Sequence, residues 1–176
     1  MPLPHDIKEK WRSLLTNLNS VTITTFPRYY FENTPLTSNY TCIHIFCDAS
    51  LLSYGATAYV CRDNQSTFMM AMTRLAPLKK LTLSRLELMT AVIGSRLCKL
   101  LQKNTSIPQI YLWSDSQIVL YWLQTSKTLQ RFVRNRVTEI RELTENRKWR
   151  YCPTKDNPAD LVTSGISTSH FKNSDL

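Results

Sequence analysis

The chain has 176 residues, 43% of them hydrophobic, enough to bury a core and to exclude disorder as its general state. Lys and Arg outnumber Asp and Glu by 22 to 13, a net charge of +9 that points to a polyanionic partner, most simply nucleic acid. The five cysteines (42, 47, 61, 98 and 152) form no C-x-x-C pair and histidines number three; this argues against a zinc site or a disulfide framework and fits reduced, mostly buried thiols.

In chain order, residues 5–18 read as an amphipathic helix, with Ile7, Trp11, Leu14, Leu15 and Leu18 on one face. Residues 21–26 have strand character and Pro27 ends them. Residues 31–40 are polar, contain a proline and read as a linker. The main domain is expected from Thr41. Cys42–Cys47 is apolar except for His44, the pattern of a strand buried on both faces. Tyr54–Cys61 and Ser66–Arg74 are two more strands, joined by turn chemistry at residues 62–65.

Leu86, Met89, Ile93, Leu97 and Leu100 recur at helical spacing and predict a helix over about 84–103. A strand follows over 110–113, then helices over about 116–125 and 128–145. Trp149–Cys152 is a last strand, and Asn157-Pro158 opens a short final helix. The order βββ-α-β-α-α-β-α predicts a mixed α/β fold, a five-stranded sheet flanked by helices. There is no internal repeat. The N-terminus lacks the basic and apolar regions of a signal peptide, and no apolar run is long enough to span a membrane. A cytoplasmic protein without membrane contact is therefore expected.

Four acids stand at the ends of these elements: Asp48, Glu87, Asp115 and Asp160. Each has an ordinary local explanation. Asp48 can start a turn. Glu87 can close a capping box with Ser84. Asp115 can cap a helix, and Asp160 suits a helix dipole. As a set they also suit one sheet edge, where crowded carboxylates repel unless a cation neutralises them. Hard oxygen donors select magnesium or manganese, and two such ions suffice for phosphodiester hydrolysis.

The element order and these acids resemble ribonuclease H. Ser84-Arg-Leu-Glu-Leu-Met-Thr-Ala is similar to that family's first-helix segment, and Tyr111-Leu-Trp-Ser-Asp-Ser-Gln to the strand and turn of retroviral members. More narrowly, His44-Ile-Phe-Cys-Asp-Ala-Ser, Thr73-Arg-Leu-Ala-Pro-Leu-Lys, Ile118-Val-Leu-Tyr-Trp-Leu, Phe132-Val-Arg-Asn-Arg-Val and Pro153-Thr-Lys-Asp-Asn-Pro-Ala-Asp resemble the Pol polyprotein of BEL/Pao retrotransposons. The resemblance covers about residues 41–166. Residues 1–40 resemble the segment joining reverse transcriptase to ribonuclease H, which leaves 167–176 as a tail.

The resemblance implies two-metal hydrolysis of the RNA strand of an RNA–DNA hybrid, with two Mg2+ or Mn2+ ions held by Asp48, Glu87, Asp115 and Asp160. Asp48 would bridge both ions, and Asp160 would help hold the one that activates water. Reverse transcriptase and integrase portions of a Pol polyprotein are the implied neighbours, in a retroelement particle where the element is functional. No zinc-finger or integrase segment follows Asp160, so a fragment or a degenerate copy is expected.

Around that site, Arg131 and Arg134, with Arg136 and Arg141, can contact phosphates or form a solvated face paired with Glu139, Glu142 and Glu145. Arg85 and Lys155 are further candidate nucleic-acid contacts. Gln117 and Ser84 can read 2′-hydroxyls or cap helices. Trp113 and Trp122 read as core residues. Many ribonucleases H carry a His shortly before the last Asp, and a Ser-Arg-Gly after it. Here Tyr151–Asn157 contains no His, and Thr163-Ser164-Gly165 contains no Arg. The rival functions are a catalytically inactive nucleic-acid-binding remnant and a DNA nuclease of the same fold.

Overall fold

The computed structural model describes residues 4–21, 30–31, 41–145 and 147–165. They fall into two units, one holding an N-terminal helix and the other spanning Tyr30–Gly165. The helix, α1 (His5–Val21), runs further than its apolar periodicity predicts. Ile7, Trp11, Leu14, Leu15 and Leu18 are all exposed along it. The strand expected over 21–26 lies outside the described residues, apart from Val21, which ends the helix.

The second unit follows the predicted order: β1 (Thr41–Ala49), β2 (Ser53–Arg62), β3 (Gln65–Leu75), α2 (Leu83–Asn104), β4 (Gln109–Ser114), α3 (Gln117–Gln124), α4 (Arg131–Leu143), β5 (Trp149–Tyr151) and α5 (Asp160–Thr163). The sheet order is β3-β2-β1-β4-β5. β1 pairs antiparallel with β2 and parallel with β4, and β5 is parallel to β4. The mixed sheet expected from the element order is thus the one observed. Among the described residues no helix is long and apolar enough to cross a membrane.

One face of the sheet carries the core. Ile43, Ile45 and Cys47 of β1, Ala56, Ala58 and Val60 of β2, and Leu112 of β4 are fully buried on it. Helix α2 packs there through Leu88, Ala91, Leu97 and Cys98. Gly94 permits the approach, because a Cβ at that position would collide with Cys47 Sγ and stand 3.5 Å from the Trp149 ring.

The other face corrects the reading of β1 as buried on both sides. Burial along β1 alternates, and His44 and Phe46 are only partly covered. They stack against Trp113 with ring centroids 5.6 and 5.9 Å away. Tyr59 and Phe68 continue the row by edge contacts, and the Arg150 guanidinium lies 4.2 Å from the Tyr111 ring centroid. Aromatic residues are apolar enough to read as core in sequence and large enough to cover one another without a helix above them. Trp113 belongs to this row, whereas Trp122 packs at the margin of the core as expected.

Phe31, read as part of a linker, is buried in the core and lies under the Arg62 guanidinium at 4.3 Å. Tyr30 accepts a hydrogen bond from Thr67 Oγ1 through its carbonyl oxygen. The rest of that expected linker lies outside the described residues.

Candidate active site

The topology brings the ends of several elements to one sheet edge. β1 and β4 are parallel with Cys47 opposite Ser114, so Asp48 and Asp115 leave the sheet side by side. β5 is parallel to β4 with Tyr151 opposite Ser114, so the segment carrying Asp160 departs from the same edge. β3 ends at Leu75, opposite Ser53 at the start of β2, and α2 starts from that edge with Glu87 in its second turn.

Asp48 is buried and accepts a hydrogen bond from Thr163 Oγ1 of α5. Burial pushes its pKa up, the Thr163 hydroxyl and the Ala49 amide pull it down, and the Asp115 and Asp160 carboxylates push it up again. Those two acids are therefore near enough for their charge to be felt at Asp48. Asp156, the nearby competitor for the fourth position, is not among the charges that raise the Asp48 pKa; it is exposed in the 3-10 turn Thr154–Asp156.

The other acids also meet hydroxyls. Glu87 accepts from Ser116 Oγ at 2.7 Å and Asp115 from Thr154 Oγ1 at 2.9 Å. Asp160 is exposed. Among the described residues no three His, Cys, Asp or Glu side chains stand close enough together to hold a metal ion as placed. The donor set nonetheless suits a hard divalent cation, being all carboxylate at one edge, with one member held in an unfavourable charge environment.

Two local readings of these acids are corrected. The capping box does not form: α2 starts at Leu83 with Thr82 as N-cap, and no side chain caps it. Ser84 is inside the helix, and the Glu87 carboxylate turns to Ser116 instead. Asp115 is not the N-cap of α3; Ser116 is, accepting from the Val119 amide. Asn157 does not start α5 directly. Its side chain accepts from the Ala159 amide, and the helix begins at Asp160.

Asn157 has a second task that sequence reasoning missed. Its Nδ2 donates to the Cys47 carbonyl at 3.0 Å, fastening the Asp160 segment to β1 beside Asp48. Ser50 and Ser53 both donate to the Thr163 carbonyl, at 2.8 and 3.0 Å. Thr163, Ser116, Thr154 and Asn157 complete the site, and only their proximity in sequence to the acids hinted at it.

Of the candidate nucleic-acid contacts, Gln117, Arg131, Arg134 and Lys155 are exposed, while Ser84 and Arg85 are partly covered. Arg85 lies 5.0 Å from the Phe132 ring centroid. Arg136 is occupied by Phe132, stacked at 3.5 Å and donating to its carbonyl. Arg141 donates to the Leu123 and Thr125 carbonyls at the end of α3. The expected pairing within α4 is replaced by links to α2: Glu139 binds Arg96 and Glu145 binds Lys99.

Residues 1–116 match the family described as Pao retrotransposon-like RNaseH-like domain. The chain belongs to that family. The Pao match includes Asp48, Glu87 and Asp115 and ends before Asp160. No curated protein matches the chain.

Among solved structures, this Pao-family chain is similar to the N-terminal RNase H domain of rv2228c from Mycobacterium tuberculosis, at 15% identity and a TM-score of 0.55, over 75% of this chain and 97% of that one. It is similar to LC11-RNase H1, isolated from compost and solved with an RNA/DNA hybrid, at 11% identity and a TM-score of 0.54, over 74% and 99% of the two chains. The foamy viral protease-reverse transcriptase in complex with an RNA/DNA hybrid follows at 13% identity and a TM-score of 0.51, over 80% of this chain and 22% of that one. At these identities the likeness is one of fold, and the fold of this Pao domain is that of RNase H.

Proposed function

We propose that the protein hydrolyses the RNA strand of an RNA–DNA hybrid with the help of two divalent cations, Mg2+ or Mn2+. The observation that carries this reading is the convergence of Asp48, Glu87, Asp115 and Asp160 on one edge of an RNase H-like sheet. These four carboxylates would hold the ions, which supply an activated water and charge stabilisation at the departing oxygen.

The chain's own contribution is placement. Thr163, Ser116 and Thr154 orient three of the acids, and Asn157 fixes the segment that carries the fourth. Ser84 and Gln117 flank Glu87 and Asp115 in sequence and are the groups for contacts with 2′-hydroxyls. Arg85, Arg131, Arg134 and Lys155 are the groups for phosphates. Two of the similar structures hold RNA/DNA hybrids, and one is a protease-reverse transcriptase; both facts support a hybrid substrate and Pol-type neighbours.

The test is a hybrid with a labelled RNA strand, incubated with magnesium. Cleavage of RNA only when paired to DNA is expected, with Asp115→Asn reducing the rate by more than about a hundredfold, beyond the cost of losing an outer partner of a metal ligand. Hybrid binding without cleavage would support the inactive remnant. Cleavage of an all-DNA duplex would make it a DNA nuclease.

A further inference from the structure

Cys42 and Cys61 stand directly opposite each other on the antiparallel β1–β2 ladder. Directly opposed residues hold their Cα atoms about 4.5–5.5 Å apart, within the roughly 4.4–6.8 Å that a disulfide spans. Because side chains alternate along a strand, both project from the aromatic face that carries His44 and Tyr59. Both are partly exposed, whereas Cys47, Cys98 and Cys152 are buried. The acids are at the other end of β1.

A second observation distinguishes the two sulfurs. His44 Nε2 lies 3.4 Å from Cys42 Sγ. Trp113 Nε1 lies 3.0 Å from His44 Nδ1, and an indole N–H can only donate. Nδ1 is thus the acceptor, and the neutral ring carries its proton on Nε2, facing the sulfur. Burial and then the Arg150 charge lower the His44 pKa, which keeps the ring in that neutral form. An N–H beside a sulfur favours the thiolate. It opposes the burial that raises the Cys42 pKa. The Cys61 pKa is raised by burial and then by the charge of Cys42, as expected of neighbours.

We propose that Cys42 and Cys61 form a reversible cross-strand disulfide, with Cys42 as the attacking thiol and Cys61 as the one that closes the bond. With glutathione disulfide as oxidant, the Cys42 thiolate attacks one glutathione sulfur and the second glutathione leaves as a thiolate, which takes up a proton. The Cys61 thiolate then attacks the Cys42 sulfur and expels the remaining glutathione. The protein loses two protons and two electrons, and glutathione disulfide gains them as two thiols. This assignment is independent of the proposed nuclease activity.

The full chain is incubated with glutathione disulfide, alkylated without reduction, digested and analysed by mass spectrometry. A peptide pair joined through Cys42 and Cys61 is expected, and dithiothreitol separates it. Cys61→Ser leaves Cys42 carrying glutathione, and Cys42→Ser forms no such link. His44→Phe keeps a ring but removes the donor, and slows the link several-fold. An unchanged rate in that variant overturns Cys42 as the attacking thiol. Glutathione retained on wild-type Cys42 beside a free Cys61, or a link between two chains through Cys42, in protein with an unaltered circular dichroism spectrum, overturns the disulfide itself.

Discussion

At the scale of single residues, Asp48 is held in an unfavourable charge environment. Its pKa is raised, first by burial and further by Asp115 and Asp160. The folded state therefore binds a proton more tightly than the unfolded state does. Stability from this group is present below the ordinary carboxylate range and is lost as pH rises through the raised native value. In the presence of a chelator, Asp48→Asn removes that loss while its side-chain oxygen can still accept from Thr163. Thermal melts should show a Tm above the parent's at neutral pH, where the parent's carboxylate is charged. The two should converge in acid. Thr163→Val tests the opposite side of the pair. It keeps the side-chain shape and removes the donor to Asp48, so on the proposed two-metal reading cleavage should fall by about 10–100-fold, the usual cost of losing an outer partner of a metal ligand. A fall in hybrid binding without a fall in cleavage rate at saturation would refute that role.

At the scale of elements, the closest fit is between α2 and the sheet. Gly94 is buried with Cys47 Sγ against it, so Gly94→Ala should destabilise the protein by about 1–3 kcal/mol through overpacking, measured by urea unfolding. Cys47→Ala in the same chain should recover part of this loss. The elements themselves were legible in sequence because their periodicities are long and uninterrupted: α2 repeats its apolar residues through several turns, and its observed limits differ from the expected ones by one residue at each end. What was not legible depended on contacts. The Ser84-x-x-Glu87 pattern fits a capping box, but Glu87 finds a better-placed hydroxyl in Ser116, 29 positions away. The apolar run of β1 cannot reveal that half of its residues face an aromatic row instead of a helix. Phe31 opens a polar stretch and shows no period, so only the fold discloses that it is core.

At the scale of the whole molecule, the net charge of +9 is spent unevenly. Arg136, donating to Met89 Sδ of α2, and Arg141, donating to the end of α3, hold α4 to its neighbours, while Arg131 and Arg134 remain exposed on it. Binding of a hybrid, followed by fluorescence anisotropy across a salt series, should show this division. Arg131→Ala and Arg134→Ala should each flatten the dependence of log K on log salt by about one. Arg141→Ala should leave that slope unchanged and lower stability instead. That the acids suit one edge was legible from their places at the ends of elements, and the parallel pairing of β1 with β4 and of β4 with β5, which sends those ends in one direction, came only with the fold. The hydroxyls and the amide that steady the acids were not legible, since no local pattern marks a partner that the chain supplies far away.

The bond between Asp48 and Thr163 closes over 115 positions of sequence. On the ribosome, Asp48 is made early and waits for almost the entire domain before its partner emerges. Long closures of this kind come late in folding, so the edge that carries the acids cannot be assembled from a chain that stops short of α5. Synthesis as far as α5 is, in effect, the signal that lets the edge close.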